Sequence, residues 1–276
     1  MELIYKAFSL LPFAWADYKF MVNAFVAMIL IAPLMGVLGT MAVNNKMAFF
    51  SDALGHSAFT GIALGVLIGI ENEFFSLIAF GVFLALVITR VKNNGRTSAD
   101  TVISVFSSTA VALGLLVLSR GGGFAKYSSY LVGDILSVTS GEIAMLAITF
   151  VAVMAVWALI YNKLLTVSVN RELAAAKGIK CVLYENIFVV VVAVVVMMSI
   201  KWVGILLINS LLILPAAAAR NIARNSRQHL AGSVVLAFVC GITGLLVSFY
   251  TDTSAGATVV AVLAVVFFIT YAFKKK

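Results

Sequence analysis

The fold class is decided by one uncharged stretch, Ser254-Ala-Gly-Ala-Thr-Val-Val-Ala-Val-Leu-Ala-Val-Val-Phe-Phe-Ile-Thr-Tyr-Ala-Phe273. As an α-helix, which rises about 1.5 Å per residue, it would be about 30 Å long. The hydrocarbon core of a lipid bilayer is also about 30 Å thick. The stretch therefore predicts a helix that crosses a membrane.

Similar apolar runs recur along the chain, for example Val189–Ile200, and they are continuous rather than alternating. Strands of a membrane barrel would alternate over about 9–11 residues. Helices and closed barrels are the two structures that satisfy their own backbone hydrogen bonds in lipid. We therefore predict an all-α polytopic membrane protein with about nine transmembrane helices, the pattern allowing eight to ten. The predicted spans are 21–43, 53–70, 74–91, 101–119, 142–161, 185–200, 202–219, 231–250 and 256–273.

The composition excludes a soluble domain. The chain of 276 residues is 63% hydrophobic and 11% charged, and its mean hydropathy is +1.13. An ordinary soluble domain is about 45–50% apolar and about 25% charged. We expect one transmembrane domain over residues 1–276, with membrane lipid as its surroundings.

The basic residues indicate the orientation. With the N-terminus outside, fourteen of the nineteen Lys and Arg residues fall on the cytoplasmic side, as the positive-inside rule requires. They are Lys46, Arg90, Lys92, Arg96, Lys163, Arg171, Lys177, Lys180, Arg220, Arg224, Arg227, Lys274, Lys275 and Lys276. We therefore predict an outside N-terminus and a cytoplasmic C-terminus. The net charge of +8 follows from this topology, so no nucleic-acid partner is expected.

Two polar residues inside one predicted span are candidates for function. Asp52 and His56 are four residues apart, so a helix places them on one face. If Lys46 marks the cytoplasmic interface, they lie about 9 Å and about 15 Å into the hydrocarbon. A carboxylate and an imidazole are ligands that zinc and manganese accept. Ser57 and Asp252 are further candidate ligands.

Three other interpretations of this pair remain open. Asp52 would cap a helix N-terminus, His56 would hydrogen-bond a neighbouring helix, or the two together would relay protons. Neither an HExxH motif nor a pair of membrane aspartates is present, so an intramembrane enzyme is not expected. The sequence has no GxxxxGK[ST] phosphate loop, so any ATP would be bound by another chain.

Outside this pair, four features carry expectations. Pro215 predicts a kink that lines or gates a pathway, or that only shapes its helix. Lys201 is expected to separate two spans, and His229 to lie on the surface of a cytoplasmic loop. The loop Val167–Leu183 contains a short helix that either docks a partner or merely links two spans. The segment Tyr127–Val138 is apolar but too short to cross.

Four segments give the chain a resemblance to a known family. The two longer segments are Lys46-Met-Ala-Phe-Phe-Ser-Asp-Ala-Leu-Gly-His-Ser-Ala-Phe-Thr-Gly61 and Val203-Gly-Ile-Leu-Leu-Ile-Asn-Ser-Leu-Leu-Ile-Leu-Pro-Ala-Ala217. The two shorter segments are Asp252-Thr-Ser-Ala-Gly256 and Tyr130-Leu-Val-Gly-Asp-Ile-Leu-Ser-Val138. Together they resemble the metal-uptake permeases of bacterial ABC transporters, which carry zinc, manganese or iron(II). The match looks most like the zinc permease subunit, although Ser254 stands where proline is usual.

The resemblance implies the assembly and the roles of residues. It implies a homodimer of permeases in the bacterial inner membrane, two cytoplasmic ATPase subunits and an extracytoplasmic metal-binding protein. It implies that Asp52 and His56 contact the metal, which is cargo rather than a permanently bound cofactor. It also implies a coupling helix at about 170–179, with Arg171, Glu172, Ala175 and Gly178 meeting the ATPase. The alternatives are manganese or iron(II) import by the same mechanism, or a proton-coupled secondary transporter.

Overall fold

The computed structural model describes residues 2–9, 12–70, 72–95, 97–120 and 133–274. Within these ranges the chain is helical, with short turns and no β-strand. The α-helices are α1 (Glu2–Phe8), α2 (Lys19–Asn44), α3 (Phe50–Ile68), α4 (Glu73–Asn93), α5 (Ala99–Arg120), α6 (Ser140–Val169), α7 (Arg171–Ala176), α8 (Cys181–Val203), α9 (Ile205–Ile222), α10 (Ser226–Thr251) and α11 (Ala255–Ala272). Two 3₁₀ turns are added at Ala14–Asp17 and Ile135–Ser137.

Nine of the described helices are long and apolar enough to cross a membrane, namely α2 to α6 and α8 to α11. This confirms the predicted all-α polytopic fold and the count of about nine spans. Each predicted span falls mainly on one of these helices, although 202–219 begins within α8 and 53–70 extends two residues beyond α3. Of the segment Tyr127–Val138, residues 127–132 lie outside the described residues, and the remainder holds the turn Ile135–Ser137.

Two predicted boundaries were wrong. α6 continues to Val169 rather than ending at 161, and α8 begins at Cys181. The loop predicted at Val167–Leu183 is therefore reduced to residues 170–180, which contain α7. α8 runs through Lys201 and ends at Val203. A lysine near a helix end can extend its ammonium group toward water, so one charge does not end a span.

Gly204 makes the break between α8 and α9. Its φ of 86° lies in a region that only glycine adopts at little cost. The backbone of Gly133 packs so closely on Gly204 that a Cβ at Gly133 would meet it within 2.1 Å. The break therefore depends on two glycines rather than on the charge of Lys201.

The chain forms two compact units, each made of separated segments. One unit consists of Met1–Thr40, Gly133–Met154 and Trp202–Lys276, and the other consists of Met41–Val132 and Ala155–Lys201. We call them the first unit and the second unit. A single permease domain over residues 1–276 stays a prediction.

In the first unit, α9 packs with α10 and α11. Ser233 on α10 donates a hydrogen bond of 2.8 Å to the carbonyl of Gly36 on α2. His229, predicted at the surface, is buried in the first turns of α10, and its Nε2 lies 2.9 Å from the carbonyl oxygen of Ala216. The prediction was wrong because α10 begins at Ser226, so His229 already belongs to a packed helix.

In the second unit, α3 packs between α4 and α5. Gly61 brings α3 close to α4, since a Cβ there would lie 3.2 Å from the Cα of Leu77. Ser76 donates a 2.5 Å hydrogen bond to the carbonyl of Gly61. On the other side, the hydroxyl of Thr60 donates to the carbonyl of Ala110 on α5. These contacts fix the helix that carries the candidate pair.

Candidate metal-translocation site

The turn before α3 places Asp52 in the first turn of that helix. Lys46 adopts a φ of 56°, and the N–H of Met47 donates to the carbonyl of Ala42 to close the end of α2. Phe49 occupies the N-cap position of α3, so Asp52 is not the capping residue. A carboxylate in the first turn is still favoured by the helix dipole. The interpretation of Asp52 as an N-cap is therefore wrong.

Asp52 and His56 form a pair on one face of α3. The Nε2 atom of His56 lies 3.4 Å from Oδ1 of Asp52, and the two side chains are 44% and 49% exposed, respectively. Among the described residues, the ring of His56 contacts this carboxylate, which lies on its own helix. The pair therefore retains accessible polar atoms that a ligand can use.

The two further candidate ligands differ from this pair. Ser57 is completely buried, and its hydroxyl donates a 2.8 Å hydrogen bond to the carbonyl of Leu54. Asp252 belongs to the first unit, where it ends α10 with a φ of 51° and is exposed. The last helix is preceded at its N-cap by Ser254. Metal contact by Ser57 or Asp252 stays a prediction.

A cavity of about 370 Å³ opens beside Asp52 in the second unit. It lies between the start of α3 and one face of α5. Its lining residues are Phe49, Asp52, Ala53, Asp100, Ile103, Ser104, Ser107 and Ser108. Its polar groups are therefore all oxygen-bearing: two carboxylates and three hydroxyls.

The contribution of α5 was missed in the sequence. Asp100, Ser104, Ser107 and Ser108 follow the spacing i, i+4, i+7, i+8, which places them on one helical face. Serine is small and only weakly polar on hydropathy scales, so the span still looks apolar when its residues are averaged. A search for polar residues at helical spacing within each span would have found this face.

One copy of the chain offers an incomplete set of metal ligands. In the ranges that the structure covers, no group of three or more His, Cys, Asp or Glu side chains is arranged to hold a metal ion. Zinc sites usually have four ligands in a tetrahedron. The pair Asp52 and His56 supplies two of them.

The predicted coupling region contains the six-residue helix α7, which is shorter than the predicted 170–179. Asn170 caps it by accepting a 2.9 Å hydrogen bond from the N–H of Leu173, and Gly178 follows it with a φ of 74°. Glu172 and Ala175 are exposed, as a docking surface requires. Arg171 instead forms an ion pair within its own chain, described below.

Pro215 lies buried inside α9, which continues from Ile205 to Ile222 as one element. Proline has no N–H to donate within a helix, so the helical bond to the carbonyl of Leu211 is lost. The structure thus contains the local weakness that a kink needs. A gating role for Pro215 stays a prediction.

Comparisons with known proteins agree with this architecture. The ABC 3 transport family matches residues 17–274 of the chain. The high-affinity zinc uptake system membrane protein ZnuB of Haemophilus influenzae is 29% identical over 251 residues, covering 91% of this chain and 96% of that protein. The manganese import system permease protein ScaB of Streptococcus gordonii is 28% identical over 255 residues, covering 92% and 91%.

A solved structure shows the same fold. PsaBC from Streptococcus pneumoniae in complex with Fab matches with a TM-score of 0.78 and 25% identity. The match covers 98% of this chain and 95% of the other. The expectation of a permease bundle is therefore confirmed.

Proposed function

Since this chain belongs to the ABC 3 transport family and is a permease of the metal-uptake type, we propose that it carries zinc across the membrane in an ATP-driven importer. The observation that carries the proposal is the pair Asp52 and His56, whose side chains remain about half exposed, with Asp52 lining a cavity. Polar groups inside a membrane span are costly and usually serve function. An imidazole ligand suits zinc.

A homodimer would complete the ligand set. Two donors from each of two copies give four, the number that zinc prefers. A site formed only while two copies approach each other also releases its ion when they separate. Transport needs such release, since binding must be weak enough for the ion to leave.

We place ATP hydrolysis in a separate cytoplasmic subunit that docks on α7. Leu173 on this helix is 50% exposed. Val169 at the end of α6 and Val182 at the start of α8 are 77% and 52% exposed. Apolar residues so exposed at the end of a span mark a surface that another protein covers. Binding and hydrolysis of ATP would move α7 and switch the passage between outward and inward access. An extracytoplasmic binding protein would deliver the metal.

Manganese is the second candidate cargo. Besides Asp52, the polar residues that line the cavity offer only oxygen atoms, from Asp100, Ser104, Ser107 and Ser108. Carboxylates and other oxygen ligands suit manganese. One relative is named for zinc and another for manganese, so similarity favours neither metal over the other.

The test is uptake of zinc and of manganese into proteoliposomes that contain the permease and its ATPase subunit. We expect zinc uptake when ATP is supplied on the side of the membrane that carries the ATPase subunit. We expect His56→Ala to lose metal-stimulated ATP hydrolysis. Stronger uptake of manganese than of zinc would identify manganese as the cargo. Equal stimulation of the wild type and His56→Ala would contradict the site. Uptake by the permease alone, driven by a proton gradient, would identify a secondary transporter.

A further inference from the structure

The short helix α7 is tied to two spans of the second unit by three side chains, Arg171, Asn93 and Glu185. Arg171 donates a 3.0 Å hydrogen bond to Oδ1 of Asn93, at the end of α4. Asn93 donates a 2.7 Å hydrogen bond from Nδ2 to Oε2 of Glu185, on α8. The guanidinium of Arg171 also lies 3.4 Å from the same carboxylate oxygen. We call these three residues the clamp.

Burial makes the clamp specific. The side chain of Glu185 is only 12% exposed, whereas that of Arg171 is 43% exposed. A buried carboxylate needs both a charge partner and hydrogen-bond donors. Asn93 supplies a donor, and Arg171 supplies the opposite charge. Each of the three groups is therefore held by the other two.

Beneath α7 lies a second, apolar attachment. Ala174 on α7 is completely buried against Val167 and Cys181, with Ile179 packed beside them. A helix of six residues is too short to be stable by itself in water. Its position must come from these attachments, so whatever moves α7 also acts on the clamp.

One of the helices in the clamp leads to the candidate metal pair. α4 ends at Asn93, and nearer its beginning Ser76 donates to the carbonyl of Gly61 on α3. A Cβ at Gly61 would lie 3.2 Å from the Cα of Leu77, so α3 and α4 pack backbone to backbone there. A rigid helix thus connects Arg171 at one end with the helix that carries Asp52 and His56.

We propose that Asn93 and Glu185 are positioning residues that pass the movement of α7, through Arg171, to α4 and so to the metal pair. Arg171 then acts inside its own chain, whereas Glu172, Leu173 and Ala175 face the ATPase. The inference rests on the proposed function, because it assigns the clamp a part in coupling ATP hydrolysis to metal movement.

The experiment compares Arg171→Gln, Glu185→Gln and the double variant in proteoliposomes with the ATPase subunit. Metal uptake and ATP hydrolysis are measured together, with zinc and with manganese. We expect each single variant to keep the ATPase bound but to transport about fivefold less metal per ATP, within the range of known coupling effects. The double variant should lose no more than either single variant, because both break the same link. Leu173→Asp serves as the contrast, since it should lose the ATPase itself.

Three results would overturn the inference alone. Wild-type transport per ATP in Glu185→Gln would show that the clamp only packs, and it would leave the proposed function intact. Losses that multiply in the double variant would show that the two residues act separately. Release of the ATPase by Glu185→Gln would place it in the docking surface. Absence of ATP-driven metal uptake in the wild type would instead overturn the proposed function, and the inference with it.

Discussion

Two clusters of polar side chains in the second unit differ in how accessible their acidic groups are. The pair Asp52 and His56 shares one contact of 3.4 Å and remains about half exposed. In the clamp, the buried carboxylate of Glu185 accepts from Asn93 and pairs with Arg171, and Asn93 also accepts from Arg171. The pair is accessible to a ligand on both side chains, whereas the carboxylate of the clamp is mostly covered.

This difference separates binding from transmission. A site that must take up and release an ion needs accessible donors and an incomplete set of bonds. An element that passes on a movement needs mutual bonds that hold when one member is displaced. Composition alone would not distinguish the two clusters, since each combines an acid with a nitrogen-bearing side chain. The predictions below test this distinction, from the largest expected effect to the smallest.

Asp52→Asn should lower metal uptake by about 100-fold, comparable with the loss expected when a metal site is disturbed. The change keeps the size of the side chain and removes the charge that attracts the cation. The loss corresponds to about 2.8 kcal/mol at about 1.4 kcal/mol per tenfold. Uptake of labelled zinc and manganese by proteoliposomes measures it.

Asp252→Asn is the matched control for Asp52→Asn. Asn tolerates the positive φ of 51° at this position, so the end of α10 should be preserved. We expect most of the uptake to remain, and that result would exclude the predicted metal contact by Asp252. Equal losses in the two variants would remove the distinction between Asp52 and an exposed acid at a helix end.

Glu185→Ala should destabilise the second unit by about 1–3 kcal/mol, because it removes a mostly buried charged acceptor together with its hydrogen bond and its ion pair. Arg171 and Asn93 would lose their common acceptor. Thermal unfolding of the purified permease measures the change, and hydrogen exchange of residues 171–176 locates it. Glu172→Ala, which removes an exposed carboxylate from α7, should cost less than about 1 kcal/mol. A similar effect of both variants would mean that Glu185 is an ordinary surface charge.

Most of the fold was predictable because lipid imposes one dominant constraint. A bilayer requires about 20 apolar residues for each span, so nine helices could be read from the charge-free runs. The boundaries were less predictable. Lys201 lies within a helix that ends two residues later at Val203, because Gly204 and not the charge makes the turn. His229 was placed on the surface because it belongs to a polar run in the sequence. That run forms the first turns of α10, where His229 is buried.

The candidate site was predictable where it is local in the chain. Asp52 and His56 are four residues apart, and helical geometry alone places them together. Asn93 is 78 residues from Arg171 and 92 residues from Glu185 in the chain, so only the packing of three helices brings the three side chains together. Such contacts leave no spacing signal. Arg171 was therefore assigned to the docking surface, although the structure shows an ion pair within the chain.

Asp100→Asn should reduce uptake by about threefold to tenfold without abolishing it, since a charge that lines a passage raises the local cation concentration. Asp100 lines the same cavity as Asp52 but lies on α5. The loss should shrink as ionic strength rises, because salt screens charges over about 10 Å at 0.1 M.

Thr101→Val is the control for Asp100→Asn. Thr101 is the next residue, but its hydroxyl lies 2.7 Å from that of Ser98, and it does not line the cavity. We expect uptake close to that of the wild type. A variant Asp100→Asn that transports normally at low salt would exclude this cavity from the path of the ion.

Ser51→Ala should have the smallest effect, although Ser51 precedes Asp52. Its hydroxyl is completely buried and has no hydrogen-bond partner among the described residues. Removing a buried polar atom without a partner does not cost a bond, so stability should change by less than about 0.5 kcal/mol or increase. Uptake should stay within a factor of about two, which is the same energy. A larger loss of uptake with unchanged thermal stability would show that this hydroxyl meets the ion during transport. A buried hydroxyl would then belong to the site together with the exposed pair.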